Sequence, residues 1–200
     1  MSGFYNFVWP FIRLIDSETA HVIALGALKR GWVPTSVPFE DKRLNINLWG
    51  MDFANPIGLA AGFDKNAVAP DAMLRQGFGL VEVGSVTPRA QYGNPRPRLF
   101  RLTEDRAVIN RNGFNNTGMD AMFGHLNARS NKAEGWVGVN FGKNKDTEEA
   151  LDDYVAGIAS TDLDVSTTNR LTISSWVKPI NSFTMNGDNG QNLFVHTSSG

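Results

Sequence analysis

Four short segments hold the residues in this sequence that are equipped for chemistry, and they use one vocabulary. They are Ala60-Ala61-Gly62-Phe63-Asp64-Lys65, Gly84-Ser85-Val86-Thr87-Pro88-Arg89, Asn110-Arg111-Asn112-Gly113-Phe114-Asn115-Asn116 and Asn140-Phe141-Gly142-Lys143-Asn144-Lys145. None of them supplies a strong acid and base arranged as a triad. The set is amides, glycines, lysines and a serine. Amide side chains hydrogen-bond ring carbonyls and N–H groups, and a lysine meets a carboxylate or the charge gathered on a reduced ring. Glycine at a strand end lets a flat ligand approach the backbone, because no Cβ intervenes. That chemistry suits a polar planar ligand better than it suits hydrolysis.

The elements that must position these segments follow from local pattern. Pro56-Ile57-Gly58-Leu59-Ala60-Ala61 is the length of a buried strand and runs into Gly62. Val68 to Gln76 reads as a helix, with Pro70 near its start and Gly77 at its C-cap. A second apolar run, Gly79 to Ser85, follows. Strand, helix and strand in this order form a βαβ unit and therefore a parallel sheet. The grammar returns with a helix near Met119–Ala128, a strand over Gly135–Asn140 and a helix over Thr147–Ile158. Repeated βα units with polar groups at each strand's C-terminal end are the pattern of a TIM barrel, whose active site sits on that rim.

Upstream, residues 3–15 place Phe4, Phe7, Val8, Phe11, Ile12 and Ile15 at helical spacing. Asp16 or Ser17 then reads as the N-cap of a second helix ending near Arg30. Two amphipathic, aromatic-rich helices either pack on the main domain or lie in a membrane interface, and sequence alone does not separate these. The first is too short to span a bilayer and, broken by Arg13 and Asp16, is not a signal peptide. Residues 31–50 are loop-like, with a short strand where Leu44, Ile46 and Leu48 alternate.

Composition narrows the field. At 200 residues with 42% hydrophobic and 20% charged, the chain has the make-up of one soluble domain or slightly more. A net charge of −1 argues against a general nucleic-acid binder. The absence of cysteine removes disulfides, thiolate metal sites and cysteine nucleophiles. His21, His125 and His196 show no ligand spacing, so no metal site is expected.

The run from Gly79 to Arg98, G-x(4)-G-S-V-T-P-R-A-Q-Y-G-N-P-R-P-R, and the order of the four segments closely resemble the quinone-dependent (class 2) dihydroorotate dehydrogenase family, over about residues 1–158. The resemblance implies an oxidoreductase of pyrimidine biosynthesis. It would oxidise dihydroorotate to orotate, with FMN as hydride acceptor and a quinone as final acceptor. By matching position, Ala61, Gly62, Phe63, Asp64, Lys65, Ser85 and Asn140 would contact FMN. Lys65, Asn110, Arg111, Asn112, Gly113 and Phe114 would bind dihydroorotate. Asn112 departs from the apolar or aromatic residue usual there. His21 and Arg101 match positions at a quinone tunnel entered through the N-terminal helices. The same resemblance implies a peripheral protein on the cytoplasmic side of a bacterial-type cell membrane. Each residue keeps a plain alternative: Asn110, Asn115, Asn116 and Asn140 as turn or cap residues, Arg101 in a surface ion pair, and His21 as a satisfied helix histidine.

After Ile158 the composition changes. Residues 159–200 hold seven Ser, six Thr and five Asn. The family would continue with a strand ending in N-x-S-S-P-N, the source of its base serine, and later with a glycine-rich phosphate cradle. Only Ser198 and Ser199, after His196, faintly echo the serine segment, so no catalytic base is assigned. The tail instead weakly resembles a laminin-G or concanavalin-like β-sandwich fragment, with Leu171–Pro179 alternating as a half-buried strand. The expected fold is thus α/β, the N-terminal part of a TIM barrel preceded by two amphipathic helices and followed by a polar β-like tail. The expected divisions are a helical membrane and quinone-entrance segment over 1–30, a partial FMN-binding barrel over 31–158, and a divergent tail over 159–200. The alternative function is a non-catalytic truncated or fused, chimeric chain whose tail is a fragment of a carbohydrate- or surface-binding β-sandwich. A half-open sheet predicts poor folding alone, or oligomerisation that covers its edge.

Overall fold

The structure is a computed structural model that describes residues 2–35, 41–48, 50–129, 135–159, 171–177 and 191–195. Helix α1, Ser2–Ile12, contains Pro10 and gives way to turns at Leu14 and Ile15, three residues short of the end its apolar periodicity suggests. Asp16 then caps α2, Ser17–Lys29, by accepting the Thr19 backbone N–H at 2.9 Å. Leu28 of α2 joins the core and Leu25 packs against it, but apolar residues of α1 and the following turn stay outside: Phe7 is 72% exposed and Leu14 81%.

A 3-10 turn over Lys42–Leu44, capped by Asp41, takes Leu44 out of the expected strand. What remains is β1, Ile46–Leu48, antiparallel to β2, Met51–Phe53. This hairpin docks under the N-terminal end of the main sheet, where the Trp136 indole N–H donates to the Asp52 carbonyl at 2.7 Å.

The main sheet runs β3 (Gly58–Leu59), β4 (Leu80–Val86), β7 (Trp136–Phe141), β8 (Leu171–Val177), β9 (Gln191–Val195). Its first four strands are parallel, and β9 returns antiparallel to β8. The strand expected over 56–61 is two residues long and, among the described strands, pairs with β4 alone. Between β4 and β7 stand the antiparallel hairpin β5 (Leu99–Leu102) and β6 (Ala107–Asn110), and helix α4 (Met119–Asn127). Helix α3 (Pro70–Leu74) bridges β3 and β4, and α5 (Ala150–Ala159) follows β7.

The core lies between the parallel strands and the helices. Val81 and Val83 of β4 and Val139 of β7 are fully buried, and they pack with Met73 and Leu74 of α3 and Met122, Phe123 and Leu126 of α4. Alternation along β4 sends Glu82 to the opposite face. The helices are joined by a bidentate ion pair from Arg129 to Asp71, at 2.9 and 2.6 Å. The sandwich-like reading of the tail concerns residues of which β8 and β9 alone are described. There β8 extends the parallel sheet beside β7.

Candidate functional site

The C-terminal ends of β3, β4 and β7 are stitched into one platform by backbone. The Gly62 N–H donates to the Gly84 carbonyl at 2.8 Å, and the Gly84 N–H to the Asp64 carbonyl at 3.0 Å. Gly84 adopts φ +113, and a Cβ there would stand 2.4 Å from the Asn140 carbonyl. Glycine is therefore required for β4 to end against β7. Beyond it, the Ser85 hydroxyl donates to Asn140 Oδ1, and Asn140 Nδ2 donates to Glu82 at 3.3 Å.

A second knot fixes the outer loops. The buried Thr87 hydroxyl donates to the Arg89 carbonyl at 2.6 Å and accepts from Asn116 at 2.9 Å and Asn144 at 3.1 Å. Asn116 also receives the Gly118 N–H, and Asn144 receives the Arg89 N–H. These two asparagines are scaffold, as their plain alternative has it for Asn116. Buried amides are affordable here because donors and acceptors are matched.

Two cavities open on this rim. The larger, about 630 Å³, is lined by Ser85, Gly113, Phe114, Asn140 and Lys143, among others. The smaller, about 350 Å³, lies between α2, the loop after β3 and the β5–β6 hairpin, and presents His21, Gly62, Lys65, Asn110, Asn112 and Asn115. The predicted residues thus gather on two sides of one platform. His21 stacks edge-on to Phe63 with ring centroids 5.0 Å apart.

Others serve differently. The Asp64 carboxylate, in a residue 1% exposed, accepts the Val68 and Ala69 N–H groups at 2.8 and 2.7 Å and so starts the α3 turn, while the residue borders the smaller cavity. The Arg111 guanidinium donates to the Pro97 carbonyl and lies over the Phe100 ring, 6.0 Å from its centroid. Arg101 donates to the Ile15 carbonyl at 2.8 Å, joining β5 to the turn between α1 and α2, and makes no ion pair among the described residues. Ala61 donates its N–H to Glu82 at 3.3 Å. Ser198 and Ser199 lie outside the described residues.

The electrostatics of the smaller cavity centre on Lys65. It makes no hydrogen bond or ion pair with another described residue, and burial pushes its pKa below the ordinary lysine value, opposed by Glu18. Burial, and then the Lys65 charge, hold His21 below the ordinary histidine value. Glu18 is held low chiefly by its hydrogen bonds from Arg98, which lock α2 onto the segment before β5. Asn115 Oδ1 is buried without a hydrogen-bond partner among the described residues. A half-buried cation can meet a carboxylate here, while the Asn115 oxygen can accept a ring N–H.

Sequence reasoning did not single out Glu82, the group that joins Asn140 to the loop after β3. A carboxylate inside an otherwise apolar strand, Leu80-Val81-Glu82-Val83, was the available signal. Nor did it weigh Ser174 and Ser175, whose backbone positions in β8 lie beside Asn140 and Phe141. Among the described residues no group of His, Asp or Glu could hold a metal ion, and no helix is long and apolar enough to cross a membrane.

Parallel strands whose polar loops gather at one end, with glycine-flanked amides and a half-buried lysine, define an α/β protein of the TIM-barrel class. A family model described as dihydroorotate dehydrogenase matches residues 43–189, a span that runs beyond Ile158. The dihydroorotate dehydrogenase (quinone) of Rhodospirillum rubrum is 56% identical over 159 residues, covering 80% of this chain and 43% of that protein. The mitochondrial dihydroorotate dehydrogenase (quinone) of Cyclocybe aegerita is 55% identical over 143 residues, covering 72% and 43%. A crystal structure of DHODH from Eimeria tenella in complex with ferulenol superposes with a TM-score of 0.67 at 44% identity, covering 72% of this chain and 40% of that one. The chain belongs to the dihydroorotate dehydrogenase family. It spans less than half the length of these relatives.

Proposed function

We propose that this chain carries the flavin- and substrate-facing rim of an enzyme that oxidises dihydroorotate to orotate, with FMN as hydride acceptor and a quinone as final acceptor. The observation that carries the reading is Lys65, a half-buried cation without a hydrogen bond or ion pair among the described residues, facing a cavity lined with asparagines. Dihydroorotate offers a carboxylate to the lysine, and ring N–H and carbonyl groups to Asn110 and Asn112.

The residues present fit the ring portion of a flavin. Asn140 Oδ1 has a second lone pair beyond the one Ser85 uses, Gly62 has open space where a Cβ would stand, and the Asn115 carbonyl oxygen lacks a donor among the described residues. Ser85, Asn140 and the Gly62–Lys65 loop would hold that ring, and bound FMN would supply the hydride acceptor. The protein's own share is to orient dihydroorotate, exclude water and remove a proton from its C5. The resemblance assigns that proton to a serine on the strand after β7. β8 pairs with β7 here, with Ser174 beside Asn140 and Ser175 beside Phe141, which makes these two serines base candidates although no N-x-S-S-P-N segment follows them. His21 and the exposed Phe7, Phe11 and Val22 support the reading of α1 and α2 as a quinone entrance resting on a membrane surface.

The test is flavin and orotate binding. The chain purified with excess FMN and desalted is read by visible absorbance, and orotate is titrated by calorimetry. Stoichiometric flavin and an orotate signal lost in Lys65→Ala are expected. A chain that retains no flavin and binds no orotate defeats the reading. It would favour the non-catalytic reading.

A further inference from the structure

Asn140 is held from both ends of its amide. Its carbonyl oxygen accepts from the Ser85 hydroxyl, and its Nδ2 donates to Glu82 Oε1 at 3.3 Å. These two neighbours are not equivalent. A hydroxyl both donates and accepts, so Ser85 alone tolerates either orientation of the amide. A carboxylate accepts only. Glu82 therefore fixes which end of Asn140 turns toward Ser85; both Ser85 and Asn140 line the larger cavity, and Glu82 does not. Its other oxygen, Oε2, accepts the Ala61 N–H at 3.3 Å, so the same carboxylate ties the loop after β3 to the amide on β7. Asn140 is 5% exposed, and the fully buried Val81 and Val83 flank Glu82 in sequence on β4's opposite face. The arrangement is rigid where it matters.

We infer that Glu82 is a positioning residue. It fixes the amide of Asn140 so that an acceptor, not a donor, faces the larger cavity, and thereby selects planar ligands that present an N–H edge. This rests on the proposed flavin site for the identity of the ligand, but not for the orientation of Asn140. Replacing Glu82 by Gln keeps size and removes the constraint, because a glutamine amide can donate or accept and lets Asn140 turn over.

Two measurements test it. The first needs no ligand: the side-chain NH2 resonances of Asn140, identified by their loss in Asn140→Ala, are followed by nitrogen–proton NMR. In Glu82→Gln they are expected to move well away from their wild-type position while the Trp136 indole signal stays in place. Unmoved Asn140 resonances overturn the inference whether or not flavin binds. The second is a double-mutant cycle on the FMN dissociation constant. Glu82→Gln is expected to weaken binding about tenfold in the wild-type background, the scale of one charge-assisted hydrogen bond, and to have no effect in Asn140→Ala. Equal losses in both backgrounds overturn it, since Glu82 would then act through the fold alone. A wild-type chain without flavin affinity removes the proposed function and leaves the NMR result to decide. Should Glu82→Gln fail to fold by circular dichroism, Glu82→Met removes the acceptor at similar volume and is read in its place.

Discussion

Lys65 sets the chemistry at the scale of single residues. Its ammonium is half-buried, and burial lowers its pKa, so anion binding at this site is expected to fade as pH rises through that lowered value, before an exposed lysine would lose its proton. Orotate affinity measured against pH checks this, and an affinity flat up to the ordinary lysine range would contradict it. His21 has the same sign. Its folded pKa lies below the ordinary value, so between the two the unfolded chain binds the extra proton and stability falls as pH drops through that window. The Thr87 knot illustrates a different use of amides. Asn116→Ala strands the Thr87 N–H and Gly118 N–H in a buried setting and is expected to lower unfolding free energy by about 1–3 kcal/mol, read from urea midpoints, with no direct effect on ligand contacts. The identical residue type at Asn110 and Asn116 therefore does unlike work. Nothing in the letters N-R-N-G-F-N-N tells the cavity-lining amide from the structural one; exposure does, since Asn110 is open to the cavity and Asn116 is 7% exposed.

Between elements, the critical joint is α2 against the segment leading into β5. Arg98, whose side chain is 6% exposed, places its guanidinium on Glu18, and Arg96 adds a second pair at 3.0 Å. Removing one partner of such a pair leaves the other charge uncompensated, so Glu18→Ala is expected to cost about 3 kcal/mol in docking α2. Hydrogen exchange confined to residues 17–29 would report it. The folded pKa of Glu18 is depressed, so its contribution is complete above the unfolded carboxylate value and is lost as pH falls through the folded one. Exchange of α2 should accelerate in acid before that of β4 and β7. The boundaries of these elements were partly legible beforehand. Apolar runs gave β4 and β7, and the Asp16 cap gave α2 almost to the residue. The hairpin β5–β6 was not, because four-residue strands with exposed Val108 and Ile109 carry no buried face for periodicity to reveal.

For the whole molecule, the position of β3 at the edge of the sheet among the described strands makes one expectation. The chain alone should unfold broadly and bind a hydrophobic dye through exposed groups such as Ile57 and Val155. A chain carried to the relatives' length should melt in one sharp calorimetric transition and bind less dye. A sharp, monodisperse monomeric transition for the chain as it stands would count against this. Within the formed core, Met122 is fully buried among α3, α4 and β4, and Met122→Ala is expected to cost about 2–5 kcal/mol.

The sequence by itself determined the βα grammar, the four rim segments and the family, because buried strands and tight glycine turns are local constraints that leave local marks. Only the tertiary structure decided which of those rim groups face a cavity and which hold the scaffold. Asp64 went to the start of α3, Arg111 to the Pro97 carbonyl and Asn144 to Thr87, while Lys65 kept its charge free of a hydrogen bond or ion pair among the described residues. A side chain's partners lie far away along the chain, as Glu82 and Asn140 do, and burial is a property of the assembled sheet. Hydrogen-bond saturation is settled by distance in space, and no spacing in sequence records it.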